Sequence, residues 1–217
     1  MKTEATIKKY ERATKLPAYG SLSTISRFCG AKKEILDVGC ASGYLGRVLM
    51  DRDNVVYGID GNAEAVAEAK QIYTEAVCFD LNNLDGENFF GGKTFDVIVF
   101  ADVLEHLLDP QVTLQYFKRF LKPGGYIITS LPNVALWRVR LNLLFGNFNY
   151  TDYGVLDRTH LHLYTFASAK KLLSSAGYEV VASRAAMNLL LFGILVDFFP
   201  FLRTWLGIHI VMKARVR

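Results

Sequence analysis

Short apolar runs that end in an acid recur along the first half of the chain, each followed by apolar residues at helical spacing. Glu34-Ile-Leu-Asp37-Val38 leads through Gly39-Cys40-Ala41-Ser42-Gly43 into Leu45, Val48 and Leu49, a pattern that predicts strand, tight loop and helix. Val55-Val-Tyr-Gly-Ile59-Asp60 is a second such run, and Asn62 is placed to cap a helix carrying Ala63, Val66, Ala67 and Ala69. Ala76-Val-Cys-Phe79 ends at Asp80. Phe95-Asp-Val-Ile-Val-Phe100 is apolar after Asp96 and is expected to be buried on both faces. Asp109-Pro110 starts a helix with Leu114, Phe117 and Leu121 inward, Pro123-Gly124-Gly125 stops it, and Tyr126-Ile-Ile-Thr-Ser130 makes a fifth strand. Five strand and helix alternations predict an α/β chain with a doubly wound, mainly parallel sheet and a ligand crevice at the strands' carboxyl ends.

The flanks are less regular. A short helix is expected before Pro17, and Leu22, Ile25 and Phe28 form a helical face that Gly30 ends; residues 1–30 read together as an N-terminal cap, with Tyr10 or Tyr19 as candidates to touch a ligand. After Leu131, more than thirty residues separate the fifth strand from the helix capped by Thr165, far beyond an ordinary connection, and 132–165 is read as a lid insertion. Within it Trp137, Leu141, Leu144 and Phe145 share one side of an amphipathic helix. Tyr178–Ala182 and Ile208–Arg215 read as the last two strands, joined through a hydrophobic insertion over 186–206. Its longest uncharged run, Ala185 to Val196, is too short to span a bilayer. It reads either as a helix that caps the pocket or meets a second copy in a homodimer, or as shallow membrane docking through 188–206.

Composition narrows the class. A 217-residue chain with 51% apolar residues suits one domain with a full core. The formal charge of +4 is scattered and argues against a nucleic-acid partner, while leaving anionic small substrates or an anionic membrane surface. Cys29, Cys40 and Cys78 lack metal-ligand spacing, so no metal is expected and the thiols read as buried in a reducing compartment. With a polar first segment, a cytoplasmic location is expected, at the membrane if the 188–206 segment docks. Gly86 to Thr94 superficially looks like a phosphate loop, but its spacing is one residue too long and it precedes a strand.

The acid Asp60 lies 21 residues after Gly39, the separation at which a carboxylate can take both hydroxyls of a ribose. With Asp37, the 39–43 loop and Asp80, the order of motifs resembles the class I S-adenosylmethionine-dependent methyltransferases, and Leu121-Lys-Pro-Gly-Gly125 before the fifth strand is among that group's specific signatures. The resemblance implies a seven-stranded Rossmann-like sheet with an antiparallel last strand and S-adenosylmethionine as cofactor. It implies that Asp37 and its loop (Gly39, Cys40, Gly43) hold the methionine end, Asp60 with Gly61 the ribose, and Asp80 with Leu81 the adenine amino group, while Asp102 and Val103 line the pocket. The middle glycine of the usual loop is replaced by Ala41. The tract from Gly154 to Thr165 resembles a segment of a bacterial and archaeal subgroup often found near polysaccharide- or lipid-modifying genes.

A hydroxyl nucleophile must lose its proton, for which histidine is suited. His160, then His106 and His162, are the candidate bases, although a hydrogen-bonded structural role fits each; Glu105 reads as a positioning residue and His209 as structural. Asn133, Trp137 and Arg158 are the candidate substrate contacts, with Arg138 and Arg140 beside them. The expected activity is O-methylation of a small sugar or lipid-linked acceptor, with a quinone-like aromatic next. A catalytically silent scaffold that binds the cofactor, a membrane or a partner is the rival outside enzymology. A nicotinamide-dependent reductase is disfavoured because Gly39, Gly43 and Gly46 miss the Gly-x-Gly-x-x-Gly spacing and no Tyr-x-x-x-Lys occurs.

Overall fold

The computed structural model describes residues 16–84 and 88–217. The expected helix before Pro17 and the candidate contact Tyr10 lie largely or wholly outside the described residues. In chain order the regular elements are α1 (Ser21–Cys29), β1 (Glu34–Val38), α2 (Tyr44–Met50), β2 (Val55–Asp60), α3 (Ala63–Ala69), β3 (Glu75–Cys78), β4 (Phe95–Ala101), α4 (Pro110–Phe117) and β5 (Leu121–Pro132). There follow α5 (Trp137–Leu144), α6 (Phe166–Ser175), β6 (Tyr178–Ala186), α7 (Leu190–Phe198), α8 (Arg203–Leu206) and β7 (His209–Val216). All seven strands form one sheet in the order β3-β2-β1-β4-β5-β7-β6. The pairings from β3 through β5 are parallel, and β7 is antiparallel to both β5 and β6.

The helix caps form as local chemistry dictates. Asn62 Oδ1 accepts from the N–H groups of Glu64 and Ala65, Asp109 Oδ1 from Val112, and Thr165 closes a capping box with Ser168. Apolar side chains then sort to the sheet's two faces. Ile25, Leu45, Leu49, Val66 and Ala69 bring α1, α2 and α3 onto one face, and Leu114, Phe117, Ala169 and Leu173 bring α4 and α6 onto the other. Between them Phe95 and Val97 to Phe100 of β4 are fully buried, each contributing about 1.5–3 kcal/mol to the core. The 81–94 connection is less polar than its composition indicates, because Phe89 turns inward and packs edge-on against Phe79.

Two segments leave apolar side chains uncovered. In α5 only Val139 is buried, and Leu144 and the following Phe145, read as sharing one side of the helix, are each 77% exposed. In α7 the ring of Tyr19 lies where a side chain on Gly193 would project, and Phe192 and Val196 pack on the core, while Leu190, Leu191 and Phe198 face outward. Tyr19 donates from its hydroxyl to Asp197 at 2.7 Å, so it ties the N-terminal cap to the hydrophobic insertion.

Candidate active site

Strand order reverses between β1 and β4, the position at which an open α/β sheet leaves a crevice beyond its strand tips. The loop after β1 is set there by three left-handed residues, Gly39 (φ 77°), Ala41 (φ 44°) and Gly43 (φ 88°). The N–H groups of Gly39 and Cys40 both donate to the Ile59 carbonyl at 2.7 and 2.9 Å, fastening the loop to the end of β2. Gly39 has no room for a larger residue: a Cβ there would lie 2.2 Å from Val103 Cγ2. Val103 thus fills the loop's underside and is buried.

Asp60 stands at the tip of β2, partly exposed. Its Oδ2 accepts from the Ala41 N–H at 2.8 Å and its Oδ1 from the Asn62 N–H at 2.9 Å, so the carboxylate is held in one orientation with a further lone pair on each oxygen. Asp80, just past β3, accepts at Oδ1 from the Asn82 N–H at 2.9 Å and is exposed; its Oδ2 has no hydrogen-bond partner among the described residues. Gly61 is exposed between them, whereas Leu81 is buried in the core beneath. Asp102 begins the loop after β4 in the left-handed region (φ 55°) and accepts from the Ser130 hydroxyl at 2.8 Å. His209 Nε2 lies 3.6 Å from its other oxygen, so this histidine flanks the strand tips, a placement its position in a terminal strand gave no sign of.

Two of the expected ligand contacts, Asp37 and Cys40, have buried side chains. Asp37 is 1% exposed, because side chains alternate along β1 and this one points into the α2 and α3 layer, where Tyr73 donates to its Oδ2 at 2.6 Å. The same phenol oxygen accepts from the Gly46 N–H at 3.0 Å, so Asp37 and Tyr73 brace the start of α2 from below. Cys40 is buried too, its sulfur against the spot where a Cβ on Gly58 would stand, which leaves only its backbone to face the loop. Burial pushes Asp37 up to about 7 from 3.8, the Tyr73 hydroxyl opposing this and the charge of Asp60 adding to it. A raised folded value means a stabilising contribution that is full below the unfolded value and disappears as pH climbs through about 7. The melting temperature of the wild type is therefore expected to fall between pH 5 and pH 8 more than that of Asp37→Asn, read by calorimetry; parallel slopes would contradict the assignment.

Beyond β4, Leu104–His106 forms one 3-10 turn on which the lid's returning segment docks. The N–H groups of Leu161 and His162 donate to the Glu105 carbonyl at 2.8 and 3.2 Å. His106 Nδ1 lies 3.1 Å from the Thr159 carbonyl and 3.2 Å from the Thr159 hydroxyl oxygen. That hydroxyl gives its own proton to Asp157 at 2.7 Å, so both Thr159 oxygens act as acceptors and Nδ1 carries the imidazole proton. His160 Nδ1 faces the Val155 carbonyl at 3.2 Å and is protonated for the same reason. The ring centroids of His106 and His160 are 4.8 Å apart. His162 is turned the other way, its Nε2 donating to the Leu107 carbonyl at 3.0 Å.

The candidate substrate contacts separate. Asn133 is fully buried, donating to the Thr204 and Gly207 carbonyls and accepting from the Ala135 N–H, so it anchors the root of the lid. Arg158 pairs with Asp152 at 2.7 Å on an exposed part of the lid, and Trp137 is half-buried with the Arg138 guanidinium 5.3 Å from its ring. Arg140 lies over the Trp205 ring at 4.4 Å, which joins α5 to α8. Sequence reasoning missed Tyr73, Thr159 and Ser130, ordinary polar residues whose roles arise only from long-range packing.

A family model described as a methyltransferase domain matches residues 11–183, about four fifths of the chain. A ubiquinone biosynthesis O-methyltransferase from Thiobacillus denitrificans is 31% identical over 106 residues, 48% of this chain and 46% of that protein. One from Pseudomonas aeruginosa is 33% identical over 107 residues, with the same shares. The chain thus spans about half the length of the curated relatives it matches. Among solved structures, an S-adenosylmethionine-dependent methyltransferase from Aquifex aeolicus aligns over all of both chains at TM-score 0.64 and 18% identity. Magnesium protoporphyrin IX methyltransferase from Synechocystis, solved with bound SAH, aligns over 97% of this chain and 84% of its own at TM-score 0.59 and 18% identity. These two likenesses concern the fold alone. With its strand order, its glycine loop and the extent of the family match taken together, the chain belongs to the methyltransferase domain family, within the class I S-adenosylmethionine-dependent methyltransferases.

Proposed function

We propose that this chain methylates an oxygen of a lipid-linked acceptor, with Asp60, Asp80 and the 39–43 loop as the cofactor's holders. The carrying observation is that Asp60 and Asp80 stand oriented at the tips of adjacent strands, while Leu108, two residues past His106, donates its N–H to Asn82 Oδ1 beside Asp80 at 2.9 Å. The donor set suits S-adenosylmethionine: Asp60 has acceptor capacity for two ribose hydroxyls, Asp80 for an amino group, and an acidic rim that includes Asp102 complements a ligand of net positive charge. When bound, that cofactor supplies an electrophilic methyl group on a sulfonium.

The protein's contribution is alignment and proton handling. The Thr159 and Val155 carbonyls fix the tautomers, so His160 Nε2, with His106 Nε2 beside it, accepts the acceptor hydroxyl's proton. His160→Ala is expected to slow methyl transfer by about 100-fold or more while leaving affinity for S-adenosylhomocysteine within about twofold. A parallel loss of affinity would show a structural role instead.

The lipid-linked acceptor is supported by the apolar residues that α5 and the 189–205 segment leave uncovered, including Leu144, Phe145, Leu190, Phe198 and Phe201. Relatives named for ubiquinone biosynthesis add weight to an acceptor with an apolar tail. No helix among the described residues is long and apolar enough to cross a membrane, so contact would be peripheral. The protein is expected to co-sediment with anionic vesicles, and the double variant Phe198→Glu and Phe201→Glu to lose about 10-fold in partitioning. Acceptors with and without an apolar tail, offered with methyl-labelled cofactor, test the substrate class; equal rates on both would sink it.

A further inference from the structure

Between α1, the edge strand β6 and α7 lies a cavity of about 360 Å3 whose lining includes Tyr19, Thr24, Arg27, Arg184, Gly193 and Asp197, none of them part of the site at the strand tips. We propose that this cavity binds the phosphate of an anionic phospholipid headgroup while the apolar stripe of α7 beside it enters the bilayer surface. The inference rests on the peripheral membrane contact proposed above and names the lipid chemistry that fixes it.

The charge of the lining favours an anion. Arg27 and Arg184 face Asp197, the only carboxylate among the described lining residues, which leaves a net positive cavity. Arg27 spends only Nη2, on the Ala18 carbonyl at 3.1 Å and the Thr24 hydroxyl oxygen at 3.3 Å, and Arg184 spends only Nη1, on Asp197 Oδ1 at 3.2 Å. The remaining N–H groups of both guanidiniums have no partner among the described residues, and their planar forks match the spacing of phosphate oxygens. The Arg184–Asp197 pair is exposed and therefore weak, so an entering phosphate can take up Arg184 while Asp197 keeps its shorter bond from Tyr19. The Tyr19 hydroxyl registers the convergence of these groups: its bond to Asp197 raises it above its ordinary pKa, and the charges of Arg27 and Arg184 both oppose that shift.

The helix α7 points to a phosphate carried by a lipid. Leu190, Ile194 and Phe198 recur every four residues, so they share one side of the helix, and they are 61, 40 and 77% exposed, with Leu191 exposed next to them. Gly193 and Asp197 form the adjoining row and line the cavity. An interfacial helix buries such a stripe among acyl chains and keeps its polar flank at headgroup level, and that flank is the one Asp197 shares with Arg184. A choline headgroup would bring its own cation against the arginines, so a headgroup without one is preferred.

The test is sedimentation of the full chain with vesicles of phosphatidylcholine alone or mixed with phosphatidylglycerol, with a calorimetric titration of inorganic phosphate and far-UV circular dichroism to report on folding. Phosphatidylglycerol is expected to strengthen binding, and the double variant Arg27→Gln and Arg184→Gln to lose about 20-fold on the mixed vesicles, from about fivefold for each basic residue at a membrane surface. Removing the same charge from the opposite face of the sheet, with Lys170→Gln and Lys171→Gln on α6, is expected to cost less than about twofold. Asp197→Asn is expected to strengthen binding about fivefold, a gain that loss of structure cannot mimic. Arginine variants that match the wild type, or an equal loss in the arginine and lysine pairs, overturn the headgroup site and leave the membrane contact standing. Saturable binding of inorganic phosphate at sub-millimolar concentration, lost in Arg27→Gln, assigns the cavity to a soluble phosphate and overturns the lipid. Failure to sediment with either vesicle overturns the headgroup site and the membrane contact together.

Discussion

Replacing Asp60 with alanine is expected to weaken S-adenosylhomocysteine binding by about 100-fold or more, measured by isothermal titration. Hydrogen bonds to an ionised acceptor contribute about 1.5–3 kcal/mol each, and the proposed ribose contact uses two. The loss has a second source in the protein itself. Asp60 Oδ2 holds the Ala41 N–H and Oδ1 holds the Asn62 N–H, so its removal also loosens the glycine loop and the entry to α3. Asp60→Asn keeps one acceptor oxygen and is expected to fall between the two. Asp80→Ala, at an exposed position with one local hydrogen bond, is expected to cost less, about 10-fold. Wild-type affinity in the Asp60→Ala variant would place the ribose elsewhere.

Gly39→Ala is expected to be the most damaging single methyl group in the chain. The added carbon would lie 2.2 Å from Val103 Cγ2, and the residue would have to hold φ at 77°. Overpacking costs about 1–3 kcal/mol and the left-handed backbone about 1–2 kcal/mol more, together a large share of a domain's stability. A fall of roughly 8 °C or more in the melting temperature is expected, with cofactor affinity lost in the fraction that folds. Trimming the obstruction separates the two causes: in a Val103→Ala background the added cost of Gly39→Ala should shrink to the backbone part. If it does not, Val103 is not what excludes a side chain at this position.

The contrast between these glycines and their neighbours shows which parts of the fold were legible in sequence. Strand, loop and helix order were readable because they follow from local periodicity, and the caps at Asn62, Asp109 and Thr165 because each is decided within a few residues. Asp60 and Asp80 were found at the strand tips for the same reason. The surroundings of Asp37 were not legible, because its position in the run marks the strand's end but not its partner; that partner, Tyr73, lies 36 residues on, beyond α3. Ala41 departs from the glycine pattern without breaking the loop, since it adopts φ 44° and its N–H is secured by Asp60. The meeting of His106 with His160 had no local signature at all. It depends on backbone hydrogen bonds between the lid and the 3-10 turn after β4, which carry no side-chain code. Helical periodicity in α5 identified residues that share a side, yet it did not say whether anything covers them, and Leu144 and Phe145 stand exposed.

The central claim concerns where an adenosyl ligand lies, and a crystal structure of the protein with S-adenosylhomocysteine tests it most directly. The account predicts ribose hydroxyls on the Asp60 carboxylate, the adenine amino group toward Asp80 and the sulfur facing the side of the site that carries His160. A ligand bound away from Gly39–Gly43, or a ribose that leaves Asp60 bonded only to Ala41 and Asn62, would contradict it.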